Sequence, residues 1–161
     1  MAGPWITLRR LAIALPLVFA VHVAEEGPGF VAWFNAHVEP DITARTFWGV
    51  NATAFVITLI VAVLVAAARE RALVLVASVW VGFLMLANAV FHVVAAIVDG
   101  AYAPGVVTAV LLYLPMSGLW ITAAAREVAL PVAAVAAVAV LGGIPMYLHG
   151  YKIVFEGSRF F

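Results

Sequence analysis

Long apolar stretches separated by short polar breaks make up most of this 161-residue chain. A helix needs about 20 mainly apolar residues to cross the hydrocarbon core of a bilayer. Segments of that kind cover residues 8–27, 47–68, 72–98, 104–125 and 129–151. The pattern therefore predicts an all-α fold, in which residues 1–161 form a single transmembrane domain built as a bundle of five helices.

Short polar segments mark where each predicted helix ends. The breaks are Arg69-Glu70-Arg71 between the second and third stretches, Asp99-Gly100 with Pro104-Gly105 between the third and fourth, and Arg126-Glu127 with Pro131 between the fourth and fifth. The first break is longer. In it, the aromatic-rich residues 30–34 follow Gly27-Pro28-Gly29 and precede Asn35 and His37. Aromatic and polar side chains together suit the headgroup boundary. A short interfacial helix is therefore predicted between helices 1 and 2.

Prolines, glycines and tryptophans refine this outline. Pro16, Pro115 and the segment Gly142-Gly143-x-Pro145 are expected to bend their helices, which helps to open a cavity between them. Tryptophans near the predicted span boundaries are expected to be interfacial anchors. They are Trp48, Trp80 and Trp120.

The composition supports a membrane location and limits the partners. Apolar residues make up 67% of the chain and charged residues 10%, too few polar side chains to cover a water-soluble domain. Acidic and basic residues balance, so there is no basic field for nucleic acid, and the expected partners are lipids or other apolar small molecules. The lack of cysteine excludes disulfides. A homo-oligomer is left open.

The basic residues predict an orientation. With five spans, one side carries Arg9, Arg10, Arg69, Arg71 and Arg126, and the other carries Arg45, Lys152 and Arg159. The side richer in arginine and lysine is expected to be cytoplasmic, which places the N-terminus inside. The first stretch ends in charged residues instead of a small-residue cleavage site, so it is expected to be a span and not a signal peptide.

Polar residues inside the apolar stretches fall at one predicted depth. At a rise of about 1.5 Å per residue, His22, Asn51 and His92 lie at a similar distance from the outer ends of their spans. Asn88 lies one turn deeper than His92 on the same face, and His149 lies near the outer end of the fifth span. Because ionisable groups are costly in a bilayer and usually functional, these residues predict a polar pocket in the outer half.

The first span ends in His22-Val23-Ala24-Glu25-Glu26, which places two carboxylates near an imidazole. Glu25 stands at i+3 and Glu26 at i+4 from His22, so either carboxylate can share the face of the histidine. We select Glu26 as the partner of His22 on the i, i+4 alignment alone, with Glu25 as general acid or base. The spacing leaves the reverse assignment open.

The motif His22-x-x-Glu25-Glu26, a later histidine at His92, and Tyr-Ala-Pro-Gly at residues 102–105 together resemble the HXXEE-motif family of small bacterial integral membrane proteins. That family has an HXXEE motif, one further histidine and a Tyr-x-Pro-Gly motif, and all three occur here in order within residues 11–110. The resemblance implies a bacterial cytoplasmic membrane protein. It singles out residues but implies no reaction, because the family has no assigned biochemical function.

A metal-dependent enzyme is the leading hypothesis. Two imidazoles and a carboxylate are a common catalytic set, so His22, Glu26 and His92 are predicted to bind zinc or iron. The metal would supply a hydroxide or Lewis acid for an enzyme that acts on a lipid-like or isoprenoid substrate. The expected catalytic residues are His22, Glu25 and Glu26. The residues expected to support them or to contact substrate are Asn51, Asn88, Tyr102, Tyr113 and His149.

Other hypotheses stay open. Without a metal, a protonated glutamate and a histidine could catalyse isomerisation or a terpene-type cyclisation, with aromatic residues sheltering a carbocation. A non-enzymatic protein that binds or transports a cation or small amphiphile is also compatible. Transport needs polar groups on both sides of the bilayer midplane, however, and the inner half of the predicted bundle has few of them. Finally, buried polar residues can simply join helices.

Overall fold

The computed structural model describes residues 6–39, 41–68 and 70–159, which fold into helices without any strand. In chain order these are α1 Leu8–Glu26, α2 Phe30–His37, α3 Ala44–Ala67, α4 Arg71–Asp99, α5 Val106–Glu127, α6 Val132–Gly142 and α7 Ile144–Glu156. The all-α prediction is confirmed, and the predicted short helix after the first long one is α2. Arg69, which contributes to the predicted orientation, lies outside the described residues.

Three helices are long and apolar enough to cross a membrane: α3, α4 and α5. The pair α6 and α7 gives a fourth candidate if the two are taken as one span with a 48° bend. α1 is not among the candidates, and its 19 residues carry charged side chains at both ends. Within the described part of the chain there are thus three to four candidate spans, where the sequence predicts five.

The helices are irregular at two of the proline and glycine positions where the sequence predicts a bend. α6 and α7 meet at Gly143, and Pro145 lies in the first turn of α7, where a missing N–H is tolerated. Pro115 cannot donate a helical hydrogen bond, and a π-helical turn at Ala109–Tyr113 ends two residues before it. α1, in contrast, continues as a helix through Pro16.

Glycines let α4 pack closely against α6. A Cβ at Gly82, in the π-helical turn Gly82–Ala87 of α4, would lie 1.9 Å from the carbonyl oxygen of Ala139. A Cβ at Gly142 would lie 2.6 Å from the carbonyl oxygen of Val79. Only glycine permits two backbones to approach so closely. α4 is therefore the centre of the bundle, packed on α5, α6 and α7.

α3 stands apart from α7 and leaves a cleft. It packs along α1 and on the first half of α4, but it makes no extensive contact with α7. One end of this cleft is covered by α2, whose side chain Phe34 is buried. Trp33 and His37 of α2 fix this helix by side-chain contacts of 2.9 and 3.1 Å to Asp99 at the end of α4. α2 therefore covers this end of the cleft and is attached to the end of α4.

Two of the predicted anchor tryptophans are hydrogen-bonded to neighbouring helices instead. Trp120 is fully buried and donates to Ser78 at 3.0 Å, and Trp80 donates to Thr58 at 3.1 Å. Trp48 is 53% exposed. A buried indole needs an acceptor for its N–H, and only the packing of helices shows where such an acceptor lies.

Candidate metal centre

The end of α1 directs its two glutamates to different places. Neighbouring residues of a helix are about 100° apart, so Glu25 and Glu26 do not share a face. Glu26 is 5% exposed and lies beside His22. Glu25 is less buried and lies against the first turn of α5. The structure therefore places Glu26 where the i, i+4 alignment expects it.

His22, Glu26 and His92 form a buried cluster where α1 meets α4. Glu26 Oε1 lies 3.4 Å from His22 Nε2 and 3.1 Å from His92 Nε2. Ligand atoms about 2.1 Å from a tetrahedral zinc ion are about 3.4 Å apart, so these separations suit a metal site. The three residues could hold a metal ion, as the sequence predicts.

The imidazole nitrogens that face this cluster lie at ion-pair distance from a carboxylate oxygen without an aligned hydrogen bond. Within the described ranges, neither His22 Nε2 nor His92 Nε2 has a hydrogen-bond partner. Both atoms lie near Glu26 Oε1, but neither contact has the geometry of a hydrogen bond. Buried polar atoms without partners are uncommon in folded proteins and call for an explanation.

Thr108 decides which nitrogen of His22 carries the proton. The Thr108 hydroxyl oxygen lies 2.7 Å from His22 Nδ1 and donates its single proton to the Glu25 carboxylate. It must therefore accept from His22 Nδ1–H, which leaves a lone pair on Nε2 of the neutral imidazole. This lone pair faces the Glu26 carboxylate in the protein interior, and a cation or a shared proton would stabilise the arrangement.

Glu25 joins α1 to the start of α5. Its carboxylate accepts from the backbone N–H of Val107 at 3.0 Å and of Thr108 at 2.7 Å, and from the hydroxyl of Tyr102 at 2.8 Å. The first N–H groups of a helix lack helical partners, and the helix dipole favours a negative charge there. Partial burial, and then the hydrogen bond to Glu25, raise the pKa of Tyr102 above its ordinary value of 10.0, which keeps this hydroxyl a donor.

Gly105 lets the loop before α5 approach both histidines. Its φ of +98° lies in the left-handed region that favours glycine. A Cβ at this position would lie 2.7 Å from His92 Cε1 and 3.0 Å from His22 Cε1. The Tyr-x-Pro-Gly motif thus lies beside the HXXEE motif and beside His92, and its glycine contacts the imidazole rings of His22 and His92.

Tyr113 packs on the ring of His22. The two ring centroids are 4.1 Å apart with a tilt of 31°, and Tyr113 is fully buried. Its hydroxyl has no hydrogen-bond partner within the described chain, although a buried tyrosine hydroxyl usually finds one. The hydroxyl interacts electrostatically with Glu26. It is therefore available to a group bound at the cluster.

A cavity of about 300 Å³ extends from the cleft to Glu26. Its wall is mainly aromatic and aliphatic, and it includes Asn51, Asn88, His149 and Arg159. His22 and His92 do not line it. Small-molecule sites typically combine an apolar wall with a few polar groups, and this volume is at the low end of their range.

The residues predicted from the sequence fall into three groups. The cluster contains His22, Glu26 and His92; the cavity wall contains Asn51, Asn88 and His149; and Glu25, Tyr102 and Tyr113 lie around the cluster. Thr108 is a further residue of the site that the sequence pattern did not indicate, and its one signal is its position just after the Tyr-x-Pro-Gly motif. A threonine in an apolar helix often bonds its own backbone, as Thr58 does, so its side-chain contact was not evident.

The sequence profile of one family matches residues 13–121, and its description is a protein of unknown function with HXXEE motif. The match includes the motif residues of α1, the histidine of α4 and the glycine that contacts both histidines. The chain matches no curated protein and no solved structure.

Proposed function

The chain belongs to the family of proteins of unknown function with an HXXEE motif, and we propose that it is a metal-dependent integral membrane enzyme that acts on a lipid-like substrate. The proposed ligands are His22, Glu26 and His92, and the proposed substrate site is the adjoining cavity. We further propose that α1 is a fifth span, with the N-terminus inside a bacterial cytoplasmic membrane.

One observation carries the proposal: buried electron-pair donors converge on one point. One ligand atom from each of His22, Glu26 and His92 lies within 4.8 Å of the other two, and Glu26 Oε1 is 3.4 and 3.1 Å from the Nε2 atoms of His22 and His92. Burying such groups without a partner is costly. The two imidazoles and the carboxylate would hold a divalent cation, which would remove that cost and leave a position for water or substrate.

The surrounding residues suit such a centre. Thr108 and Glu25 hold the His22 ring with Nε2 toward the cluster, as partners behind the ligands of metal sites do. Tyr113 packs its ring on the ring of His22 and has a buried hydroxyl. When bound, the cation would supply a Lewis acid and an activated water.

A metal-free acid–base enzyme is the second candidate, and the position of Glu26 on the cavity wall favours it. A proton shared between Glu26 and a histidine would also satisfy the converging atoms. Glu26 could then exchange that proton with a substrate during isomerisation or cyclisation. Aromatic rings of the same wall, including Phe30, Phe47 and Phe83, would stabilise a carbocation.

Elemental analysis of the purified protein tests the metal centre. We expect about one zinc or iron ion per chain, and loss of most of it in His22→Ala and in His92→Ala, since each variant removes a ligand. His37→Ala is the matched control, because His37 lies in α2 and contacts Asp99 instead of the cluster. Thermal unfolding of each variant shows whether it is folded.

Cobalt substitution adds a second measurement. Cobalt bound at the cluster gives visible absorption bands that change with the ligands, and Glu26→Gln should shift these bands while leaving both imidazoles in place. Folded wild-type protein that binds neither zinc, iron nor cobalt would overturn the metal centre and leave the acid–base enzyme as the better candidate.

A further inference from the structure

We infer that the cavity binds a single-chain amphiphile with an anionic head, held with the head at Arg159 and the tail at the deep end of the cavity. The inference rests on the proposed function, because it names the substrate class of that site. Three features carry it: the polarity of the wall along its length, the charge at one end, and the opening on the side of the bundle.

The cavity wall changes from polar to apolar along the helices. α1 contributes Glu26 and, seven residues earlier, Phe19, which is a separation of about 10 Å along the helix axis. α7 contributes His149 and, one turn earlier, Met146. The residues at the deep end are all apolar: Phe19, Ala54, Phe83, Leu84 and Met146. This end suits a hydrocarbon tail.

Polar groups form a layer between the deep end and Arg159. Asn51 of α3, Asn88 of α4 and His149 of α7 line the cavity in the same region as Glu26. Asn51 directs its amide N–H to the Phe47 carbonyl oxygen at 3.1 Å. Amide and carboxylate groups at this level suit a polar function on the first carbons after the head, such as an ester or a hydroxyl.

Arg159 makes the outer end of the cavity positive. No carboxylate of the described ranges lies within ion-pair distance of its guanidinium, and the nearby Glu156 is paired with Lys152 at 2.9 Å. A guanidinium binds a phosphate or a carboxylate through two parallel hydrogen bonds. The charge therefore selects an anionic head over a neutral or cationic one.

The opening between α3 and α7 provides an entrance from the lipid. These helices make no extensive contact with each other, and Val50 on the α3 side of the cavity is 64% exposed. A volume of about 300 Å³ is small for a ligand site, so it fits a segment of one chain better than two. An amphiphile entering from a membrane would keep its head at the Arg159 end and its tail toward the bilayer midplane.

Photolabelling in lipid nanodiscs tests this inference. The probe is dodecyl phosphate with a diazirine either next to the head or at the end of the tail, and labelled peptides are mapped by mass spectrometry. We expect fragment spectra to place the head-side label at Asn51 or His149 and the tail-side label at Phe83 or Met146. Unlabelled dodecyl phosphate should compete more strongly than dodecanol or dodecyltrimethylammonium.

Arg159→Gln tests whether the positive charge of Arg159 binds the anionic head. At a subsaturating probe concentration we expect labelling to fall about fivefold, since one basic residue near a membrane surface contributes about that factor. Arg45→Gln is the matched control, because Arg45 is exposed at the start of α3 and does not line the cavity. Equal labelling of the two variants, or competition by dodecanol as strong as by dodecyl phosphate, would overturn the anionic head.

The double variant His22→Ala/His92→Ala separates this inference from the proposed function. We expect it to lose the metal and to retain photolabelling, because neither histidine lines the cavity. Wild-type protein that binds metal but shows the reversed labelling pattern would overturn the amphiphile orientation and leave the metal centre intact. Wild-type protein without metal but with the expected labelling would overturn only the metal centre.

Discussion

At the scale of the residue, the candidate centre depends on side chains that face in defined directions. Glu26 faces His22 and His92, whereas its neighbour Glu25 bonds the first turn of α5. The hydroxyl of Thr108 joins the two systems, because it donates to Glu25 and accepts from His22. The motif therefore supplies one proposed ligand and the group that orients another proposed ligand.

Thr108→Val should weaken metal binding while preserving the shape of the side chain. Loss of a partner behind a metal ligand typically lowers affinity about 10- to 100-fold, and we expect a loss of that size in a zinc competition titration. Thr108→Ser keeps the hydroxyl and should remain within about threefold of wild type. If both variants bind zinc equally well, the hydroxyl does not orient His22.

Gly105→Ala should destabilise the fold and disturb both histidines. Its φ of +98° and the 2.7 Å approach to His92 Cε1 make two separate costs, and we expect a loss of about 3 kcal/mol in the free energy of unfolding. Gly100→Ala is the matched control, because its φ is +61° but nothing lies within 4 Å of a Cβ there. That variant should lose about 1 kcal/mol and keep its metal. Similar losses in both variants would show that the ring contacts contribute little.

At the scale of the element, irregular helix turns and close backbone contacts shape the region of the site. The π-helical turn of α4 lies within one turn of Asn88 and contains Gly82, and the π-helical turn of α5 contains Tyr113. π-helical turns are rare and often occur at functional sites. The extra residue in each turn changes which face of the following helix points inward.

Gly82→Ala should separate α4 from α6. A Cβ at this position would lie 1.9 Å from the Ala139 carbonyl oxygen, so the helices must move apart, at a cost of about 1 to 3 kcal/mol. Gly118→Ala in α5 is the matched control, because nothing lies within 4 Å of its Cβ and alanine favours a helix. Thermal unfolding in a mild detergent measures both. Equal melting temperatures would show that the close packing of α4 on α6 is not required.

At the scale of the whole molecule, large apolar side chains cover the outside of the bundle. Leu17 of α1 is 68% exposed, Val63 of α3 is 58% exposed and Ile97 of α4 is 73% exposed. Lipid-facing helices expose such residues, whereas a water-soluble protein limits exposed apolar patches. The polar cluster lies inside this apolar surface, and the cleft is the proposed route to it for a ligand.

Cysteine labelling tests the proposed orientation, because the chain has no cysteine of its own. We expect Glu39→Cys and Ala101→Cys to react with a membrane-impermeant maleimide in intact cells. Glu70→Cys, and a cysteine added before Met1, should react only after permeabilisation, since the arginine-rich side is expected to be cytoplasmic. Labelling of the added cysteine from the same side as Glu39→Cys would show that α1 is not a span.

Periodicity and composition sufficed to predict the all-α class and the principal cluster. Apolar runs interrupted by charged residues gave the all-α fold, and the i, i+4 spacing selected Glu26 as the partner of His22. The distance of His92 from the end of its span predicted that it lies at the level of His22, because a helix has a fixed rise per residue. These features depend on local chemistry and on the distance along one helix, so the chain itself determines them.

Only the tertiary structure decided which faces of different helices meet. Thr108 reaches His22, and Gly105 contacts two imidazole rings, because α5 packs beside α1 and α4 at a rotation that no single helix specifies. The inward position of Trp120 and the cavity wall that includes Arg159 depend on the same packing. Side-chain directions between helices follow from the fit of whole surfaces, which involves residues far apart in sequence.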